Sequence, residues 1–323
     1  MVSRRDILLA ASLFPVWPRA AENRDIKVGV LPFGTVLWEV ETIRRSGLDT
    51  ANGLNLRPVQ LATNDAARIA FMGEQVDTIV TDLLLAARLR NEGRKVKFLP
   101  FSATEGGVMV PDGSPIRNVA DLIGKRVGVA GGALDKSWLL LKADIRNKTG
   151  VDLSTGAALA YGAPPLLMNK LEAGELDAAL LYWNFCARLE AKGYRRLVSA
   201  GDIAKSFGVK GEIALLGYIF RETTDPGILN SFAQASSGAK RILAESNEAW
   251  AQVRPLMSAE DEKTFQTLRR YFVEGNPRRS IEDERADAER IFSVLASIGG
   301  EKLVGAVQTF PDGLYWDGER SPP

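Results

Sequence analysis

Any chemistry done by this chain is done without histidine: its 323 residues contain none, and they contain one cysteine, Cys186. That removes together the commonest general base, the imidazole of nucleophilic triads and the commonest transition-metal ligand. A lone thiol forms no intrachain disulfide and no cysteine-rich metal site. Cys186, inside FCARLEAKG, reads as a small packing residue on a helix. An enzyme built on this chain would rely on Asp82, Asp135 or Lys136. Asp82 reads more readily as the N-cap of the helix that follows it.

What remains at the ends of the candidate strands is a set of donors, glycines and aromatic rings suited to binding. The first loop holds Phe33, Gly34, Thr35 and, one helical turn on, Trp38. Its counterpart a hundred residues later holds Gly131, Gly132, Lys136, Ser137 and Trp138. Both loops run into helix N-termini, whose unpaired N–H groups favour an anion. Glycine lets a ligand approach the backbone, although Gly131-Gly132 would serve equally as a plain turn. Lys136, Ser137 and Thr35 add donors for carboxylate or sulfonate oxygens, and Lys136 reads equally as a solvated helix residue. Further candidates are Thr81, Asp82, Thr104, Tyr161, Tyr182 and Trp183. Trp38 and Trp138 are expected to pack against a sheet, whereas Trp183 is expected to face the ligand. By analogy with nucleobase stacking, such a ring contributes about 1–3 kcal/mol. These loops carry neither a Walker A nor a GxGxxG pattern, so nucleotide binding is not supported.

The elements that position these loops come from an internal duplication. Lys27-Val28-Gly29-Val30 answers Arg126-Val127-Gly128-Val129, Trp38 answers Trp138, and Gly73-Glu74-Gln75-Val76-Asp77 answers Gly174-Glu175-Leu176-Asp177. Each copy predicts strand, helix, strand, helix, strand, helix, the pattern of parallel βαβ units. Two α/β lobes follow, with one continuous doubly wound sheet as the alternative. Thr104–Pro115 and Glu212–Arg221 are predicted to cross between lobes, and the C-terminal region reads as helices packed on the first lobe. The expected divisions are 1–21 as a signal peptide, 22–106 and 213–323 as lobe one, and 107–212 as lobe two.

Composition narrows the setting. Basic and acidic residues nearly cancel, 41 against 40, so no global field attracts nucleic acid or an anionic membrane. Residues 1–21 carry Arg4-Arg5, an apolar stretch from Ile7 to Trp17, and Ala20-Ala21, which is the layout of a signal peptide. Ser3-Arg4-Arg5-Asp6-Ile7-Leu8 is similar to a twin-arginine export motif, so a periplasmic location is expected.

Three stretches, GVMVPDGSPIRNVADLIGKRVGVAGG (Gly107–Gly132), the Met72–Asp77 turn and PPLLMNKLEAGELDAALLYW (Pro164–Trp183), carry a family resemblance. Over about Ile26 to Phe220 the sequence resembles the periplasmic substrate-binding proteins of ATP-driven (ABC) importers, in the branch with sulfonate-, nitrate- and thiamine-precursor-binding members. The resemblance implies the two-lobed α/β periplasmic binding protein fold of type II, closing on a hinge around a cleft. It also implies a monomer whose partners are a small molecule and an ABC permease, with no nucleic acid and no stable membrane insertion. Relatives in this branch bind pyrroloquinoline quinone, a flat tricarboxylate that suits both donors and rings, and this chain looks like such a protein. Sulfonates and vitamin precursors are the other ligands it implies, and a periplasmic ligand sensor is a further role. The branch's pyrimidine synthases use histidine and a cysteine-rich motif, both missing here, so the expectation is a non-enzyme with no required cofactor.

Overall fold

The computed structural model describes residues 23–32 and 34–318; the segment read as a signal peptide and Phe33 lie outside the described residues. In chain order the strands are β1 (Arg24–Val30), β2 (Leu54–Gln60), β3 (Thr78–Asp82), β4 (Val96–Ser102), β5 (Gly106–Val110), β6 (Arg126–Ala130), β7 (Ala158–Gly162), β8 (Ala178–Tyr182), β9 (Arg195–Ser199) and β10 (Leu216–Arg221). They form two separate five-stranded sheets, ordered β2-β1-β3-β10-β4 and β7-β6-β8-β5-β9. A single doubly wound sheet is thereby excluded. In each sheet three parallel strands are followed by one antiparallel strand inserted before the edge. These inserts are β10 between β3 and β4, and β5 between β8 and β9.

The duplicated sequence explains the matching registers. The Asp77 carboxylate accepts from the Lys27 backbone N–H at 2.7 Å, and the Asp77 N–H returns a bond to the Lys27 carbonyl at 2.9 Å. Asp177 repeats this with Arg126, at 2.8 and 2.9 Å. Each aspartate therefore ties the start of a third strand to the start of a first strand, where the ladder between them begins. Gly29 and Gly128 occupy matching tight places in the first strands. A Cβ on either would come within 2.8 Å of Ile79 or 2.7 Å of Leu176.

The chain leaves the first sheet after Ser102 and enters the second at Gly106, so β5 lies wholly in the second sheet and β10 wholly in the first. Gly106 has φ +129°, and a Cβ there would lie 2.1 Å from the Leu181 carbonyl oxygen, so only glycine fits this entry.

The C-terminal helices bridge both halves. Helix Pro226–Glu245 packs on Val36–Arg45 of the first half. Helix Glu262–Glu274 instead lies on Trp183–Ala191, and Ile281–Gly299 on Lys136–Thr149, both in the second. Phe272 of Glu262–Glu274 also meets Trp38 and Phe101 of the first half, with ring centroids 5.6 and 6.2 Å apart, so this helix touches both halves. Tyr271 and Arg270 both bond Glu190 across the contact with Trp183–Ala191. Arg188 donates to the carbonyls of Met257 and Ser258, both at 2.9 Å.

One polar network lies inside the first half. Glu39, fully buried, accepts from the Tyr218 hydroxyl at 3.1 Å and the Ser236 hydroxyl at 2.7 Å, and pairs with the buried Lys240. The ammonium also sits 4.2 Å from the Phe101 ring centroid. A charge so deep persists only when paired and hydrogen-bonded, and here it is both.

Candidate functional site

In open α/β sheets, ligands bind beyond the carboxyl ends of the strands. Here the ends of both sheets meet at a cavity of about 330 Å³. The first half contributes Asp65, Arg68, Asp82, Leu85 and Arg88, the second contributes Leu134, Asp135 and Lys136, and Leu303 closes one side. A second cavity of about 220 Å³ lies where the chain crosses between sheets, lined by Thr104, Glu105, Arg196, Lys205 and Glu212 among others.

An ion pair stands between the two cavities: Lys136 Nζ lies 2.8 Å from Glu105 Oε2, with both side chains largely buried. Burial opposes the Lys136 charge, but Glu105, Asp82 and Asp135 around it overcome that and hold its pKa above the ordinary lysine range. Burial pushes the Glu105 carboxyl up despite Lys136, and does the same to Asp135 despite Lys136 and two backbone donors. Tyr182 is raised too, by burial and then by the neighbouring Asp135 charge.

Helix capping explains how the carboxylates arrive. Asp82 Oδ1 accepts from the Leu85 N–H at 2.9 Å and caps helix Leu83–Asn91, as the sequence reading expects. Asp135 Oδ1 accepts from the Ser137 and Trp138 N–H groups at 2.9 and 3.1 Å, capping Lys136–Thr149. Gly131, at φ +81°, lets the Asp135 carboxylate and the Tyr182 hydroxyl come close; a Cβ there would meet them at 2.7 and 2.8 Å. Helices Val36–Arg45 and Trp183–Ala191, which start after Thr35 and Tyr182, have no side-chain cap.

The predicted site residues therefore divide. Asp82, Gly131, Lys136 and Tyr182 converge with Asp135 and Glu105, while Gly132 turns at φ +90° beside them. Ser137 is buried behind Asp135. Gly34 closes a turn onto the Leu31 carbonyl. Thr81 pairs in register with Gly217 inside the sheet. Thr104 lines the second cavity and donates to the Tyr271 carbonyl at 3.0 Å.

The aromatic expectation needs correcting at Trp183. Its ring is 6% exposed, stacks on Tyr271 with centroids 6.4 Å apart, and meets Trp38 edge-on at 6.0 Å, so it presents no free face. Trp38 and Trp138 are buried as expected, Trp138 edge-on to Tyr161 at 6.4 Å. Tyr161 and Tyr182 are partly open to solvent, with the Tyr182 hydroxyl turned in against Gly131. Glu105 and Tyr271 went unread in the sequence. Glu105 offered only an acidic residue beside two glycines at a crossing, and Tyr271 offered no signal. Cys186 is buried as read, its Sγ 3.3 Å from the Leu181 carbonyl, and burial pushes its thiol up to about 12.

Comparison with solved structures identifies the fold. The periplasmic aliphatic sulphonate binding protein SsuA from Escherichia coli matches with TM-score 0.70 at 15% identity, over 93% of this chain and 94% of that one. The alkanesulfonate-binding protein SsuA from Xanthomonas axonopodis pv. citri, solved bound to MOPS, matches with TM-score 0.62 at 16% identity, over 92% and 99%. The chain thus has the two-sheet α/β fold of periplasmic binding proteins. The desulfurization enzyme DSZB matches with TM-score 0.57 at 15% identity, over 88% and 96%, so an enzyme also uses this fold. No protein-family model and no curated protein matches the sequence.

Proposed function

We propose that this protein is an exported periplasmic solute-binding protein. It captures a small molecule between its two halves and hands it to the permease of an ABC importer. The observation that carries this reading is the cavity of about 330 Å³ lined by strand-end and helix-start residues from both sheets. Beside it, two chain crossings join the halves. That is the arrangement a hinge-closing binder needs. Catalysis has less support. Lys136 is held protonated by three carboxylates, which denies it the role of base or nucleophile. Among the described residues no helix is long and apolar enough to cross a membrane.

Two ligand classes follow from the loops. The helix starts at Thr35 and Tyr182 have no side-chain cap, although at the first the Leu37 and Trp38 N–H groups bond the Gly34 and Thr35 carbonyls; an uncapped helix start favours an anionic group such as a sulfonate. A flat ring such as pyrroloquinoline quinone has less to stack on, because Trp38 and Trp183 are buried against each other. Native mass spectrometry of protein purified from its own host should reveal a small molecule carried through purification. Adding that molecule to stripped protein should shrink the radius of gyration in solution scattering. Calorimetry against alkanesulfonates and the quinone then separates the two classes. Failure of any small molecule from the host to bind or to close the protein would remove the capture reading.

A further inference from the structure

The large cavity is lined by three cations and three carboxylates, and their pairing is uneven. Arg68 bonds Asp65 at 3.1 Å, Arg88 bonds Glu92 at 2.9 Å, and Lys136 bonds Glu105 at 2.8 Å. Every cation of the lining thus has its own carboxylate. Asp82 and Asp135 have no ion-pair partner among the described residues. Each caps a helix through Oδ1, which leaves Oδ2 outside the capping bonds. The two belong to different halves, and each influences the titration of Lys136 and Glu105. They therefore sit around one space with two negative charges in surplus.

Glu105 supplies a second, independent sign of a missing donor. Its side chain is 6% exposed, and while Oε2 is held by Lys136, Oε1 is buried with no hydrogen-bond partner. A buried acceptor left without a donor is costly, and native proteins keep few of them. Glu105 lines the second cavity and meets the first only through Lys136, so a group rich in N–H donors would have to reach past Lys136 to satisfy this oxygen along with the surplus charge. Among the described residues no three such side chains lie close enough to hold a metal ion. The cation that fits is an organic group.

We propose that Asp82 and Asp135 form a subsite for a cationic group of the captured molecule, a protonated amine, amidinium or guanidinium, with the Lys136–Glu105 pair as its floor. Because one carboxylate comes from each half, the cation draws the halves together as it binds, which couples charge recognition to closure. This rests on the solute-capture reading and adds the charge of the ligand's group to it. Guanidinium and amidinium are planar forks that match carboxylates with paired bonds.

The test uses two probes of nearly the same shape, benzamidine, which is charged at neutral pH, and benzamide, which is not. Calorimetry on the full chain should show benzamidine binding at least about tenfold tighter, the size of one charge-assisted bond. Asn caps helices as well as Asp does, so Asp82→Asn with Asp135→Asn keeps both caps while removing both charges. In that double variant the tenfold preference should vanish, with thermal stability retained. Equal binding of the two probes by the unmodified protein, absence of binding included, overturns the subsite, as does a preference that survives in the double variant. If the host molecule still closes the protein while the probes show no preference, capture stands and the cation subsite falls.

Discussion

Replacing Lys240 by methionine should be among the most damaging single changes to the first half. Methionine keeps most of the apolar length that covers the Phe101 ring, so the loss is electrostatic rather than a cavity. Glu39 then stays fully buried, with the Tyr218 and Ser236 hydroxyls as its remaining partners. Removing one member of a buried pair costs about 3–5 kcal/mol, because an uncompensated charge remains. The two hydroxyl donors place this case near the lower end, at about 3 kcal/mol. Urea denaturation at neutral pH, followed by circular dichroism, reads it as a lowered midpoint at unchanged slope. The control is Glu39→Gln with Lys240→Met: the amide oxygen still accepts from both hydroxyls, and no charge is buried. That double variant should recover at least half of the loss. A loss below about 1 kcal/mol in the single variant, or a double variant no better than the single, would refute the reasoning.

Two further outcomes follow from the site. Trp183→Ala should cost about 3–5 kcal/mol of stability, as deletion of a packed aromatic does, with the effect read in urea melts before any ligand is added; a variant as stable as the unmodified protein would return Trp183 to the ligand. Asp135 has its folded pKa raised by burial, above its unfolded value, so its contribution to stability is present at acid pH and lost as pH rises through the folded pKa. The stability difference between Asp135→Asn and the unmodified protein should therefore move in the variant's favour from about pH 4 to about pH 7; an unchanged difference would contradict the raised pKa.

How much of this was legible in the sequence depended on how local each feature is. The strands and their repeat could be read because Asp77 and Asp177 close bonds onto strands that the duplication itself marks. The Asp82 cap could be read because an N-cap is decided within three residues. Trp183 misled because its burial is decided by Tyr271, on a helix far down the chain whose docking surface has no local signature. Glu105 escaped for the same reason: its role exists only once Lys136, from another strand's loop, meets it. The charge balance around Lys136 was not readable, since that balance is set by which cations already have partners.

Duplication lets the two halves be compared position by position. The residues that pin strands and pack helices are matched: Gly29 with Gly128, Trp38 with Trp138, Asp77 with Asp177. The helix starts have diverged: Thr35 stands where the other half has Asp135, and Asp82 where the other half has Tyr182. The acidic caps therefore fall on a diagonal, one on the first helix of one half and one on the third helix of the other. A pseudo-symmetric scaffold has acquired a polar axis. Under the capture reading, a molecule with two unlike ends would be held in one orientation only, and turning it end for end would set each end against the wrong half.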